Sequence, residues 1–445
     1  MIFIKRLSKR IPAYLFYLFA FLLPWQTRWI FRDTAINGVV FEYGRMSLYL
    51  FDILLAILLI YLLYLCYSQD KKQLGIIFIS CLLLIVYCFL TLFWSTEKII
   101  SLYWSVRILF AIGLFYLIQK INFSRVKLAV IITISAGIQG FLAIFQFLTQ
   151  SVWGSKWFGI DSQTARELGA SVVEFGLERW LRAYGSLPHP NILGGLLVLS
   201  LIAVVYLTAK IEYKYHRLFL VASVSLIIPA IIFTYSRATW IGFAIVFITG
   251  FIYLRLKFSS RAEPSSVLLE KQKFSQGLWL YGLILIIMFT VATWPIIRTR
   301  LNIGPSARLE MQSNTERISN AKQALEIFKN HWLLGSGIGN YTYELQSKYP
   351  DLKSWQIQPA HNTYLLVLAE LGVVGFIIVS LLHSLIVIPI ITRKKRPLLL
   401  LGLTVLFILL FFDHYFWTLP TGLYIWFLVL GLALKQDRCP INFNP

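Results

Sequence analysis

Long apolar runs alternate with short polar segments along the chain, and this pattern predicts its architecture. A run of about 20 apolar residues crosses the hydrocarbon core as a helix, because every backbone N–H and C=O must be satisfied within the segment there. We therefore expect an all-α, polytopic membrane protein with about twelve transmembrane helices. The predicted spans are Pro12–Trp25, Met46–Tyr67, Leu74–Phe93, Ser101–Ile118, Val126–Thr149, Asn191–Ala209, Leu218–Phe233, Thr239–Leu254, Leu278–Ile297, His361–Ile391, Leu398–Phe412 and Tyr415–Leu434.

The polar segments between these runs divide the chain unequally. Residues 1–297 hold spans one to nine with a medium outer loop near 150–188, residues 298–360 form a long extracytoplasmic loop, and residues 361–445 hold the last three spans and a cytoplasmic tail. A loop of that length normally carries structure or function. We therefore look for function on the outer face.

The long loop contains a predicted helix. Ser313 and Glu316 have the spacing of a capping box, which would place Arg317 in the first helical turn. There the free N–H groups and the guanidinium would together suit an anion; a solvated charge on the helix surface is the structural alternative. The apolar residues that follow at helical spacing predict that this helix lies against the membrane domain or the membrane interface; they are Ile318, Ala321, Leu325, Phe328 and Trp332.

Composition and charge support a membrane protein and indicate its orientation. Hydrophobic residues make up 58% of the chain and charged residues only 14%, too few to cover a soluble surface of this size. The formal net charge of +21 comes largely from Lys and Arg in every second short loop. Under the positive-inside rule this distribution of Lys and Arg predicts cytoplasmic N- and C-termini. The positive net charge therefore reflects topology and is not evidence of a nucleic-acid partner.

The chemistry available on the outer face is arginine and histidine. We find no P-loop, no paired carboxylates on an outer loop and no His/Cys spacing typical of a metal site, so we expect no metal and no cofactor. His361 is a candidate base at the predicted start of the tenth span, if Pro359 is the first helical residue. An interfacial histidine bonded to a loop carbonyl is the structural alternative. Arg237 lies in a tight outer connection, where a guanidinium can grip a phosphate or merely snorkel.

For the remaining polar residues of interest, the evidence for a functional role is weaker or a structural role is expected. Arg182 and His189 flank a rigid turn before the sixth span, where they are possible substrate contacts or structural supports. Asp52 and Arg107 lie at equal depth in their spans, which predicts an ion pair. Glu370 should point to the opposite side of its helix from His361, so it is not expected to be that histidine's partner.

Four motifs in this order resemble the O-antigen ligase superfamily, which includes O-antigen ligases, O-antigen polymerases and protein O-oligosaccharyltransferases. They are RAYGSLPHPNILG at residues 182–194, TYSRA at 234–238, ERI at 316–318 with LLGSGIGNY at 333–341, and HNTYL at 361–365 with AELGVVG at 369–375. The motifs run from Arg182 to Gly375, and the span count and long outer loop extend the likeness to nearly the whole chain.

The resemblance implies a glycosyltransferase of cell-envelope and lipopolysaccharide biosynthesis in the bacterial inner membrane. It would transfer a glycan from undecaprenyl pyrophosphate to an acceptor hydroxyl, and this reaction would need no metal. The acceptor would be lipid A-core or another surface molecule, and membrane lipids would surround the protein. Matched by motif, His361 is the essential loop histidine, and Arg237 and Arg317 are the arginines that stabilise the leaving pyrophosphate.

Two alternatives remain open at this stage. Within the same superfamily, the chain is a polysaccharide polymerase or a protein O-oligosaccharyltransferase, although the LPHPN and HNTYL motifs favour an O-antigen ligase. From another class, a twelve-span transporter of polysaccharide or lipid would usually show two related halves, and we see none.

Overall fold

The computed structural model describes residues 2–36, 38–68, 75–176, 178–210, 214–259, 266–303, 308–393 and 396–435. The structural statements below concern these residues. The tail predicted after the last span falls mostly outside them.

Helices dominate the described part of the chain, as the apolar runs predict. They are α1 (Ile2–Leu22), α2 (Leu50–Ser68), α3 (Ile76–Leu90), α4 (Lys98–Lys120), α5 (Arg125–Thr149), α6 (Pro190–Thr208), α7 (Lys214–Phe233), α8 (Arg237–Ser259), α9 (Ser266–Ala292), α10 (Trp294–Arg300), α11 (Arg308–Asn330), α12 (Tyr341–Lys348), α13 (Thr363–Arg393), α14 (Pro397–Phe412), α15 (Tyr415–Thr418) and α16 (Pro420–Leu434). Short 3₁₀ turns occur at Glu42–Gly44, Thr91–Phe93 and Ser354–Gln356.

Strands form only small antiparallel hairpins between the helices. They are β1 (Arg28–Arg32), β2 (Ala35–Ile36), β3 (Val39–Val40), β4 (Met46–Tyr49), β5 (Ser151–Val152), β6 (Gln163–Thr164), β7 (Val172–Phe175) and β8 (Glu178–Leu181). β1 pairs with β4, and each of the other pairs joins consecutive strands. The predicted all-α membrane class is therefore confirmed.

The helices are suited to crossing a membrane. Eight of them, α3 to α9 and α13, are long and apolar enough by length and composition, and α1, α2, α14 and α16 contain shorter apolar stretches. Together these helices coincide with the predicted runs. The number of spans and the side on which the termini lie stay predictions.

Several predicted span limits are wrong, because a strand or a proline-led helix interrupts the apolar run. Met46–Tyr49 is strand β4, so the second helix begins only at Leu50. The ninth helix ends at Ala292, and Trp294–Arg300 is a separate helix with proline in its first turn. The final apolar run is likewise divided, because the short helix α15 ends before Pro420 opens α16.

The expected ion pair between Asp52 and Arg107 is confirmed. Both side chains are buried and in contact. Tyr424 on α16 donates to Asp52 Oδ1 over 2.9 Å and accepts from Arg107 Nη1 over 3.1 Å. The backbone N–H of Tyr49 donates to the second carboxylate oxygen over 2.7 Å. These bonds tie α2, α4 and α16 together within the membrane domain.

The end of the long loop is fastened to a kink in α13. Gly372 adopts φ 64° at that kink, and Gly335 adopts φ 77° opposite it. A Cβ on Gly335 would lie 2.2 Å from the Glu370 carbonyl oxygen, so the approach requires glycine. The Glu370 carboxylate accepts from the N–H of Gly339 at 2.8 Å and from Trp417 Nε1 at 2.6 Å. Glu370 therefore holds the loop and does not contact His361, as predicted.

The loop helix differs from its prediction in both start and orientation. It begins at Arg308, so Ser313 lies in its interior and is not a cap. The helix extends further because Glu310 is buried against Arg300. Of the expected apolar stripe, Ile318 is 60% exposed and Trp332 is 56% exposed, while Ala324 and Ile327 form the buried face. The exposed part of the stripe therefore does not pack on the membrane domain, and the predicted alternative, a position at the membrane interface, stays a prediction.

Candidate functional site

His361 lies just before α13 and not in its first turn. The helix begins at Thr363, and Asn362 caps it by accepting the Leu365 N–H over 3.0 Å. The predicted position is therefore wrong, because this asparagine cap starts the helix later than Pro359 would. Thr363 Oγ1 donates to the Asp413 backbone carbonyl over 2.7 Å, which brings the loop after α14 against His361. The His361 side chain is 21% exposed and so accessible to a substrate.

Asp413 is the carboxylate of this site. Its Oδ1 lies 3.4 Å from His361 Nδ1 and accepts the backbone N–H of His414 over 2.8 Å, while its Oδ2 accepts from Asn191 Nδ2 over 2.7 Å. Burial alone would raise the pKa of Asp413, but its hydrogen bond to His361 and the positive charge of Arg317 hold the pKa well below its usual value. Asp413 is therefore an ionised group that orients the imidazole.

A chain of polar side chains continues behind Asp413. Asn191 connects Asp413 to Arg182, because its Oδ1 accepts a hydrogen bond from Arg182 Nη2 over 2.6 Å. Arg182 follows β8, is buried, and also donates from Nε to the Thr234 carbonyl over 2.7 Å. Burial and the charge of Arg300 lower the pKa of Arg182 well below its usual value. The structure thus places Arg182 behind the site, where it supports Asp413 through Asn191.

His189 caps α6. Its Nδ1 accepts the backbone N–H of Asn191 over 3.1 Å, so this nitrogen is unprotonated. Burial and the charge of Arg182 hold the pKa of His189 well below its usual value. The position of Asn191 in the chain to His361 is therefore fixed by a neutral histidine on one side and by Arg182 on the other.

Arg237 and Arg317 meet on one face of α11. Arg237 begins α8, and its Nη2 donates to Asn314 Oδ1 over 2.7 Å. Arg317 is three residues beyond Asn314, one helical turn along, and its Nη1 donates to the Phe412 carbonyl over 3.1 Å. Arg317 lies well inside α11 and not in its first turn, so the free N–H groups expected beside it are absent there. It reaches the site through packing, next to the Asp413 turn.

Arg300 is a further arginine that sequence reasoning missed. Its Nε donates to the Tyr235 carbonyl over 2.6 Å, and its guanidinium pairs with the buried Glu310. Tyr235 has a left-handed backbone, with φ 46°, which is strained for a residue of this kind. Arg300 thereby holds the turn that presents Arg237. The region holds more arginines than carboxylates, so it is positively charged and suited to an anion such as a pyrophosphate. The arginines are Arg182, Arg237, Arg300 and Arg317, and the carboxylates are Asp413 and Glu310.

His414 completes the cluster around Asp413. Its Nδ1 lies 2.7 Å from Thr418 Oγ1, and its ring centre lies 5.1 Å from that of His361. Burial lowers the pKa of His414 to about 3 and outweighs the Asp413 carboxylate, which raises this pKa. His414 is therefore neutral at ordinary pH.

His361, Asp413 and His414 could also offer ligands to a metal ion. One ligand atom from each lies within 4.8 Å of the others, and two imidazoles with one carboxylate are a donor set that zinc accepts. The positive charge of Arg317 beside this cluster opposes a divalent cation. The prediction that no metal takes part therefore stays a prediction.

Comparison with known families identifies the same part of the chain. Residues 222–380 match the O-antigen ligase family. This domain belongs to the O-antigen ligase superfamily. The matched stretch of this O-antigen ligase domain contains Arg237, Arg317 and His361, while Arg182, His189 and Asp413 lie outside it. No curated protein matches the chain.

The sequence analysis missed several site residues, each for a different reason. Asp413 and His414 form a polar pair between two apolar runs, and this pair was a readable signal of an outer-edge turn. Asn191 lies inside a quoted motif, but its contact with Asp413 joins residues 222 positions apart. Arg300 carried no signal that separates it from other loop arginines, because only the buried Glu310 shows its role.

Proposed function

We propose that this protein transfers a glycan from undecaprenyl pyrophosphate to an acceptor hydroxyl as an O-antigen ligase, with inversion at the anomeric carbon. Membership of the domain in this superfamily supports glycosyl transfer as the activity. The observation that carries the proposal is the contact between His361 and the buried carboxylate of Asp413, beside the arginines of α8 and α11.

His361 acts as the general base. Because its Nδ1 faces Asp413, that nitrogen carries the proton and Nε2 is left to accept one. As the acceptor oxygen attacks the anomeric carbon, its proton passes to Nε2 and the carbon–oxygen bond to the pyrophosphate breaks. Asp413 stabilises the imidazolium that forms and keeps the ring in this tautomer.

Arg237 and Arg317 stabilise the leaving group. The undecaprenyl pyrophosphate gains negative charge as the glycosidic bond breaks, and two guanidiniums offer bidentate donors to its oxygens. This is the role that a divalent metal plays in many other phosphoryl and glycosyl transfers, so the proposed reaction needs no cofactor. Arg182 and His189 support the site from behind and contribute no proton to the reaction.

The proposed topology places this reaction on the outer face of the bacterial inner membrane. Both termini would lie in the cytoplasm, because Lys and Arg concentrate in the loops on that side. The acceptor would be lipid A-core or another surface molecule that offers a hydroxyl. A polymerase or a protein O-oligosaccharyltransferase would use the same residues and differ in acceptor alone.

A glycan gel from cells that make a lipid-linked polymer tests the function. His361→Ala is compared with His331→Ala, a control histidine on the long loop that pairs with Glu344. For a ligase, long chains persist on the carrier and no longer reach the final acceptor in His361→Ala cells. Collapse of the chains to single units identifies a polymerase, and an unchanged pattern with stable protein removes His361 from the chemistry and favours a transporter.

A further inference from the structure

A cavity of about 320 Å³ lies between α1, α5, α6, α8, α14 and α16, away from the arginine site. Its lining on α6 runs from Leu196 to Tyr206, which is about 15 Å of helix at 1.5 Å per residue. That length is about half of the roughly 30 Å hydrocarbon core of a bilayer. The cavity therefore matches the depth of one leaflet.

Two arginines line one end of this cavity. Arg125 is the first residue of α5, and Arg396 immediately precedes α14. Since α13 runs from Thr363 beside the His361 site to Arg393, Arg396 lies at the opposite end of the helical domain from that site. The remaining lining is almost entirely apolar, so the cavity has one charged end and one apolar body.

The positive charge at this end is concentrated at one point. Arg125 Nη2 and Arg396 Nη1 both donate to the carbonyl oxygen of Lys435, whose own Nζ donates to the carbonyls of Ile118 and Ile121 at 2.7 and 2.8 Å. Two guanidiniums thus converge where α5, α14 and α16 meet. A phosphate is the anion that such a group of donors recognises, and a membrane supplies phosphates at this depth on its lipids.

We propose that this cavity binds an acyl chain of an anionic glycerophospholipid from the leaflet opposite the His361 site, with the lipid phosphate held at Arg125 and Arg396. The polyprenyl tail of a donor fits less well, because its pyrophosphate must lie at Arg237 and Arg317 at the other end of the domain. The bound lipid would fill the space between these six helices, and it would stabilise their packing.

Native mass spectrometry of the purified full-length protein, with phosphatidylglycerol or phosphatidylethanolamine added as the probe, tests the proposal. We expect one retained phosphatidylglycerol per protein and at least tenfold weaker retention of phosphatidylethanolamine. The double variant Arg125→Gln/Arg396→Gln should lose this preference. Lys127→Gln, which removes an exposed cation near the same end of α5, should keep it.

A second variant tests the cavity without changing its charge. Ala129 lines the cavity and is buried, so Ala129→Phe fills part of it while both arginines remain. We expect this variant to lose the retained lipid and the rise in thermal midpoint that phosphatidylglycerol gives the unchanged protein. Equal binding of both lipids, retention by both variants, or displacement of the bound lipid by undecaprenyl phosphate would overturn the proposal.

Discussion

Asp413 Oδ1 lies 3.4 Å from His361 Nδ1, although the two residues are 52 positions apart and on either side of α13 and α14. The pair exists because Thr363 and Trp417 fasten the Asp413 turn to α13 from two sides. Only one imidazole nitrogen is thereby left for a substrate. The relationship gives a partly exposed loop histidine the fixed orientation that the proposed base needs.

Replacing the carboxylate should separate orientation from folding. Asp413→Asn keeps the side-chain shape but removes the charge and the preference for the Nδ1–H tautomer of His361, so we expect transfer to fall on the order of 10²- to 10⁴-fold. The measurement is transfer rate against donor concentration in purified protein, with the thermal midpoint as the check on folding. A fall in apparent donor affinity with an unchanged maximal rate would contradict the role assigned to Asp413.

The two arginines on α11 and α8 should act through geometry as well as charge. Arg237→Lys and Arg317→Lys keep a cation but lose the bidentate fork, so each should lower the maximal rate on the order of 10²-fold. Arg308→Lys is the matched control, because this arginine on the same helix is 72% exposed and pairs with Glu174. Equal effects of all three changes would contradict a specific contact of Arg237 and Arg317 with the pyrophosphate.

Chelation should leave the reaction intact. If arginines do the work of a metal, dialysis against a strong chelator changes the transfer rate by less than about twofold, within the scatter of such assays. The assay compares chelated protein with samples given back magnesium, manganese or zinc. A loss that zinc alone restores would place a metal on His361, Asp413 and His414, where the donor atoms converge.

Acid should destabilise the protein before its carboxylates titrate. Burial lowers the pKa of His414 to about 3, whereas histidine in an unfolded chain titrates near 6.5. As the pH falls below about 6.5, the unfolded state binds a proton that the folded state does not, so stability falls by up to about 1.4 kcal/mol per pH unit for each such histidine. Above that pH the contribution is constant. His189, whose pKa is also lowered, adds to this slope.

The thermal midpoint in detergent between about pH 7.5 and 5 measures this dependence across the histidine range. His414→Gln should make the dependence shallower. A slope that is the same in both proteins would show that His414 is not held neutral in the folded state.

The buried ion pair should be costly to break from one side. Asp52→Asn leaves the Arg107 guanidinium buried without its carboxylate, and we expect a loss of about 3–5 kcal/mol in unfolding free energy. Adding Arg107→Met should recover part of that loss, because no unpaired charge then remains. Glu270→Gln, which removes an exposed partner of Arg217, should cost under about 1 kcal/mol. Additive losses at Asp52 and Arg107 would contradict the pairing.

The sequence by itself determined the helices, and it supplied the candidates Arg237, Arg317 and His361 for the proposed site. Apolar runs are local signals, because a membrane-spanning segment must satisfy its own backbone, and each predicted run contains a helix. The pairing of Asp52 with Arg107 followed from equal depth, and Arg237, Arg317 and His361 followed from motif order.

Only the tertiary structure decided how these residues meet. Two helices begin at other residues than the sequence predicted. The Asn362 cap begins α13 later and the buried Glu310 lies in an earlier start of α11, because capping and burial outweigh the spacing of apolar positions. A network of hydrogen bonds runs from His361 through Asp413 and Asn191 to Arg182, and it joins three segments that are distant in sequence. No local pattern encodes such contacts, since they arise from the packing of helices whose apolar faces are nearly alike.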